Sequence, residues 1–86
     1  MYKMEIDEQE QTIYIYLYGR VGDRKLYQLK KELYIAANQC PITDVIFHIK
    51  DVKKINRDTF CTLLDDFEDM YGIKVHVLDT VYAIVS

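Results

Sequence analysis

The sequence predicts a small α/β domain, a mixed sheet of four to five strands with its helices packed on one face, in the order β-β-α-β-α-β. Three observations carry that prediction. The hydrophobic period alternates between two residues and about 3.6 along the chain. Two helical stretches each lie between strand-like ones, so the strands they join pair in parallel through right-handed crossovers. No linker, internal repeat or low-complexity segment interrupts residues 1–86, which therefore form a single domain.

The elements follow in order. "MYKMEI" alternates irregularly and reads as an edge strand, and "DEQEQ" is a polar turn. "TIYIYLYG" alternates strictly, with Ile13, Ile15 and Leu17 on one face and Tyr14, Tyr16 and Tyr18 on the other. A period of two built from β-branched and aromatic residues is a strand, and Gly19 is expected to end it. From Asp23, the expected N-cap, Leu26, Leu29, Leu33, Ala36, Ala37 and Cys40 recur at helical spacing until Pro41. Lys25, Lys30, Lys31 and Glu32 take the wet side.

"DVIFHIK" is a second clear strand, with Val45, Phe47 and Ile49 facing one way and Ile46, His48 and Lys50 the other. "DVKKINRD" reads as a loop. Phe60, Leu63, Leu64, Phe67, Met70 and Tyr71 then trace a second helix, which Gly72 stops as a left-handed C-cap. "IKVHVLD" is a further strand, and "VYAIVS" a last short strand or a tail.

Composition removes several function classes. A chain of 86 residues buries only about 60% of the surface its unfolded form exposes, so its core is thin and oligomers are within reach. A net charge of −3 argues against a nucleic-acid binder. No apolar run approaches the roughly 18 residues of a membrane span, and the polar start "MYKMEIDEQEQT" does not resemble a signal peptide. Cys40 and Cys61 share no motif spacing with each other or with His48 and His76. That argues against a disulfide scaffold or a zinc module, and points to a cytoplasmic home.

Catalytic and cofactor signatures are missing as well. There is no glycine-rich phosphate loop, nucleophile elbow or metal-ligand cluster. We therefore expect no enzyme, no cofactor and no metal. His48 and His76 share a strand parity, but a metal or proton-relay site needs at least one further ligand or base. Polar residues on the open sheet face are the plainer account. Tyr14, Tyr16 and Tyr18 lie on that same face beside Ile46 and Leu78. Parallel sheets seldom leave a face bare, so this area is expected to be covered either by the C-terminal segment or by a second copy, which makes it the candidate surface for homodimerisation.

The second helix is the most informative element. Lys50, Lys53, Lys54 and Arg57 crowd its entrance, while Asp65, Asp66, Glu68 and Asp69 crowd its C-terminal half. Both groups oppose the helix dipole, at a few tenths to about 1 kcal/mol each. One account is a solvated polar face; the other is a docking surface, basic at one end and acidic at the other.

Three stretches resemble the STAS domain of bacterial anti-sigma factor antagonists and sulfate-transporter tails. "IYIYLYGRV" is similar to that family's alternating strand ending in Leu-x-Gly. "DVIFHIKDVKKI" resembles its central strand, and "FCTLLDDFEDMYGIKVHVL" its partner-binding helix, glycine stop and following strand. The likeness spans residues 2–79 and rests on pattern more than identity. Gly22 and Asp23 stand one place off the family's Gly-x-x-Asp.

The resemblance implies a non-catalytic regulatory or adaptor domain that binds an anti-sigma kinase-like protein or a transport ATPase. It also implies a site. Aligned without gaps through Ile55 and Phe60, the family's Asp-Ser-Ser-Gly motif falls on Asn56, Arg57, Asp58 and Thr59. The phosphorylated serine becomes Asp58, a fixed negative charge where phosphoserine would place nearly two. Asn56 is the expected N-cap. A shifted register would make Thr59 the acceptor, but it needs an insertion and changes the helix phase. The implied partner surface comprises Lys53, Lys54, Asn56, Arg57, Asp58 and Thr59, continuing along the helix through Thr62, Asp65, Asp66 and Asp69.

Overall fold

A computed structural model describes residues 1–78; "VYAIVS", expected as a last strand or tail, lies outside them. The elements keep the expected order: β1 (Tyr2–Asp7), β2 (Thr12–Val21), α1 (Asp23–Gln39), β3 (Asp44–Ile55), α2 (Arg57–Tyr71) and β4 (Lys74–Leu78). Among the described residues the sheet has four strands, ordered β1-β2-β3-β4. β1 runs antiparallel to β2, whereas β2, β3 and β4 are parallel. The mixed sheet follows from the connections, because a tight polar turn can only reverse a strand while a crossover helix restores its direction.

Alternation decides which face is buried. Ile13, Ile15 and Leu17 of β2 and Val45, Phe47 and Ile49 of β3 share one cluster with Leu26, Leu29 and Leu33 of α1. Phe60, Leu63 and Phe67 of α2 join the same cluster, so both helices cover one face. The rings of Phe47 and Phe60 meet edge to face, with centroids 5.4 Å apart. The helices also grip each other beside the core: Tyr34 stacks on Phe67 at 5.9 Å, and Lys30 Nζ lies 3.0 Å from Asp66 Oδ2.

The structure corrects four local expectations. Gly19 does not end β2: it takes a positive φ of 66° and the strand continues to Val21. "DVKKINRD" is mostly not a loop, because β3 runs on to Ile55 beside that extension, pairing Gly19 with Val52, Arg20 with Lys54 and Val21 with Ile55. Two register shifts in this stretch break the sequence alternation, and they conceal the strand from a period-two pattern. Gly22, not Asp23, occupies the N-cap of α1, and it supplies no side-chain hydrogen bond. Met70, expected on the buried stripe of α2, is 67% exposed, with its sulfur accepting a hydrogen bond from the Tyr34 hydroxyl at 3.4 Å.

Candidate functional site

The corner where "KKINRDTFCTLL" turns from strand to helix is built from three local features. Lys53 and Lys54 sit at the end of β3 and are exposed. Asn56 leaves the strand with an extended backbone, and its side chain accepts a hydrogen bond from the Thr59 N–H at 3.2 Å. That bond satisfies one of the unpaired donors of the first turn, so the helix starts at Arg57. The basic residues thus belong largely to the strand, and the acidic residue of the first turn is Asp58. The conflict with the dipole is smaller than the sequence suggests.

Arg57 and Asp58 are both exposed on the first turn, while Thr59 is half-buried. Thr62, Asp65 and Asp69 continue along the solvent side of α2. Asp66 differs from them. It leans toward α1 and pairs with Lys30, whose ammonium the Asp66 hydrogen bond holds above the ordinary lysine value. Asp66 thus joins the two helices while its side chain stays 44% exposed.

A neighbouring cleft was not legible in the sequence. Arg20, Gly22 and Asp23 line it together with Lys54 and Asn56, at the carboxyl ends of β2 and β3. Arg20 pairs with Lys54 across the strands, so two cations stand side by side beside the N-terminal ends of both helices. Like charges in that position repel, and the helix ends add partial positive charge. The corner therefore favours negative groups, Asp58 among them. Only the extension of β2 past Gly19 brings Arg20 here.

The open sheet face is more engaged than its alternation suggests. Tyr16 stacks on His48 with centroids 4.9 Å apart, and Tyr14 stacks on the same imidazole at 6.5 Å. Both tyrosines are half-buried, while Tyr18 stays 44% exposed and Leu78 48%. Burial, with Glu10 and Asp7 nearby, raises the Tyr14 phenol above its ordinary value. His76 does not face His48 directly: it pairs with Ile46 in the sheet, and its Nε2 lies 3.1 Å from Asp44 Oδ1. The Thr43 hydroxyl, then His76, hold the Asp44 carboxyl below its ordinary value. Among the described residues no three metal-ligating side chains converge, and no helix is long and apolar enough to cross a membrane.

No family model matches the sequence, and no curated protein matches it. Solved structures do match the fold. The anti-sigma factor antagonist SpoIIAA in its unphosphorylated form superposes with a TM-score of 0.74, covering 99% of this chain and 92% of that one at 12% identity. The chain has the STAS fold. The phosphorylated form of SpoIIAA, a Bacillus cell fate determinant, gives 0.69 over 99% and 96% at 11% identity. Mglu in its native form gives 0.72 at 17% identity over 91% of this chain but 22% of that one. The chain thus spans about a fifth of the length of Mglu.

Proposed function

We propose that this chain is a single, non-catalytic STAS-like adaptor domain that works in the cytoplasm by binding a protein partner. The partner is an anti-sigma kinase-like protein or a transport ATPase, and the contact surface runs from Lys53 and Lys54 along the outward side of α2. The observation that carries this reading is Asp58, exposed one residue inside a helix capped by Asn56. In the ungapped register this position is the family's phosphoserine, so a fixed carboxylate stands where a switchable charge would be. Arg57 beside it, with Lys53 and Lys54 behind, tunes the charge that a partner meets.

The test compares partner binding by wild type, Asp58→Ser and Arg57→Glu, using a kinase-like or ATPase partner captured from the native host. Both substitutions are expected to change affinity by about tenfold, the scale of one charge-assisted contact of roughly 1.5 kcal/mol. Unchanged affinity in both variants removes this corner from the mechanism.

A second reading assigns homodimerisation to the face of Tyr14, Tyr16 and Tyr18. Its support is the exposure of Tyr18 and Leu78. Tyr16→Lys would then dissolve the oligomer, and charge changes near residue 58 would leave it intact.

A further inference from the structure

We propose that the outward face of the helical layer pairs two copies of this chain, α1 of each copy lying along α2 of the other. The buried residues fix which sides face outward. Leu26, Leu29 and Leu33 point into the core, so Arg24, Tyr27, Gln28, Lys31 and Ile35 occupy the opposite side of α1, and all are exposed. Phe60, Leu63 and Phe67 do the same for α2, leaving Asp58, Cys61, Thr62, Asp65 and Asp69 exposed. These stripes have identical spacing. Arg24 and Lys31 hold the first and fourth places of one, and Asp58 and Asp65 hold the same places of the other.

Axial level matters as much as spacing. Within the chain, α1 residues meet α2 residues 33 to 37 places later, as Tyr34 on Phe67 and on Tyr71 and Lys30 with Asp66 show. Arg24 to Asp58 and Lys31 to Asp65 are each 34 places apart, inside that window. Both helices link parallel strands and so run in the same direction. A two-fold axis parallel to the helices exchanges α1 for α2 and keeps every residue at its level. It brings Arg24 to Asp58 of the second copy and Lys31 to Asp65 of the second copy, and symmetry makes each contact twice.

The two-fold axis at right angles to the helices is disfavoured, since it lays cations on cations and anions on anions. Lys30 and Asp66, which could blur the pattern, already neutralise each other within one copy. Tyr27, 60% exposed, adds apolar area opposite Cys61 of the second copy, while Ile35 stands opposite Asp69 at the end of the seam. A second copy is the favoured occupant because both complementary stripes lie in register on one face of one sequence. Such a pair covers the outward side of α2. That it would compete with a protein partner rests on the reading of α2 given above; the pairing itself does not.

Analytical ultracentrifugation of the full chain tests the pairing without any partner. A reversible monomer–dimer equilibrium is expected at low salt and is lost in about 1 M salt, where screening acts beyond about 3 Å. Arg24→Glu with Lys31→Glu, and separately Asp58→Lys with Asp65→Lys, should each weaken the dimer by at least about tenfold, from several exposed ion pairs reversed together. Mixing the two reversed variants should restore a dimer, now mixed, because each inverted stripe meets its inverse. Circular dichroism checks that both variants fold, and if either does not, the salt dependence of the wild type decides. A wild type that stays monomeric overturns the proposal, as does a salt-insensitive dimer or a mixture that fails to associate. So does a dimer broken by Tyr16→Lys and indifferent to the charge reversals. The ultracentrifuge reads the pairing with no partner present, so the pairing can fail while partner binding still responds to Asp58→Ser, and a dimer can form while partner binding ignores it.

Discussion

Tyr2 shows how one side chain can tie an outer strand to the core layer. Its hydroxyl donates to the Glu32 carboxylate on α1. Burial, then that hydrogen bond and the nearby negative charge, push the phenol up to about 12 from 10. Tyrosine is neutral when protonated, so the folded state holds this proton more tightly than the unfolded chain. The resulting contribution to stability is complete below pH 10 and declines as pH rises from 10 toward 12. Urea unfolding at several pH values should show a steeper loss of stability over that window in wild type than in Tyr2→Phe. Parallel curves would mean that the contact is absent in solution. At this scale legibility depends on how local the cause is. Asn56 and Gly72 were readable as caps because a cap is decided within four residues, and the structure gives the Asn56 hydrogen bond and a φ of 62° at Gly72. Gly19 does not end the strand because a left-handed glycine can equally sit inside one, here between two register shifts whose extra residues lie on β3. Only pairing with Val52 and Lys54 decides between these outcomes, and that information is distant in sequence.

At the scale of elements, the helix stripes were legible because apolar residues at helical spacing have a single buried solution against a sheet. The stripe of α2 nevertheless contains unequal members. Leu63 is 4% exposed and packed in the core, whereas Leu64 is half-buried and leans against its edge. Leu63→Ala is therefore expected to lower the unfolding free energy by about 2–5 kcal/mol. Leu64→Ala should fall clearly below that, measured by chemical denaturation of both variants. Equal losses would show that the edge of the core is packed as tightly as its centre. The candidate site was half legible for a related reason. The order of residues placed Asn56, Arg57 and Asp58 at the helix start. It could not reveal that Lys54 stands beside Arg20, since that neighbour depends on a register shift in the sheet. Nor could it show that Asp66 pairs with Lys30, because helical phase becomes a partner only once α1 and α2 are packed side by side.

For the whole molecule, the decisive fact is that the fully buried apolar side chains form one cluster, between the sheet and its two helices. β2 and β3 supply the sheet side of that cluster, and each is paired on both flanks. β1 contributes no fully buried residue and pairs only with β2 among the described residues. A small domain with one cluster should open its centre only by global unfolding, while an outer strand with little buried area can detach at lower free energy. Native-state hydrogen exchange should therefore give β1 amides that exchange faster than those of β2 and β3. Those of Ile15 and Phe47 should report the full free energy measured by denaturant. Tyr2→Phe should widen the gap, because it cuts the side-chain bond between β1 and α1 while leaving the backbone ladder in place. The contrary result would be β1 amides as slow as Ile15 and Phe47 and unmoved by Tyr2→Phe. It would mean that the antiparallel ladder alone makes the first strand inseparable from the core. The one-sided packing would then not set the order in which this fold opens.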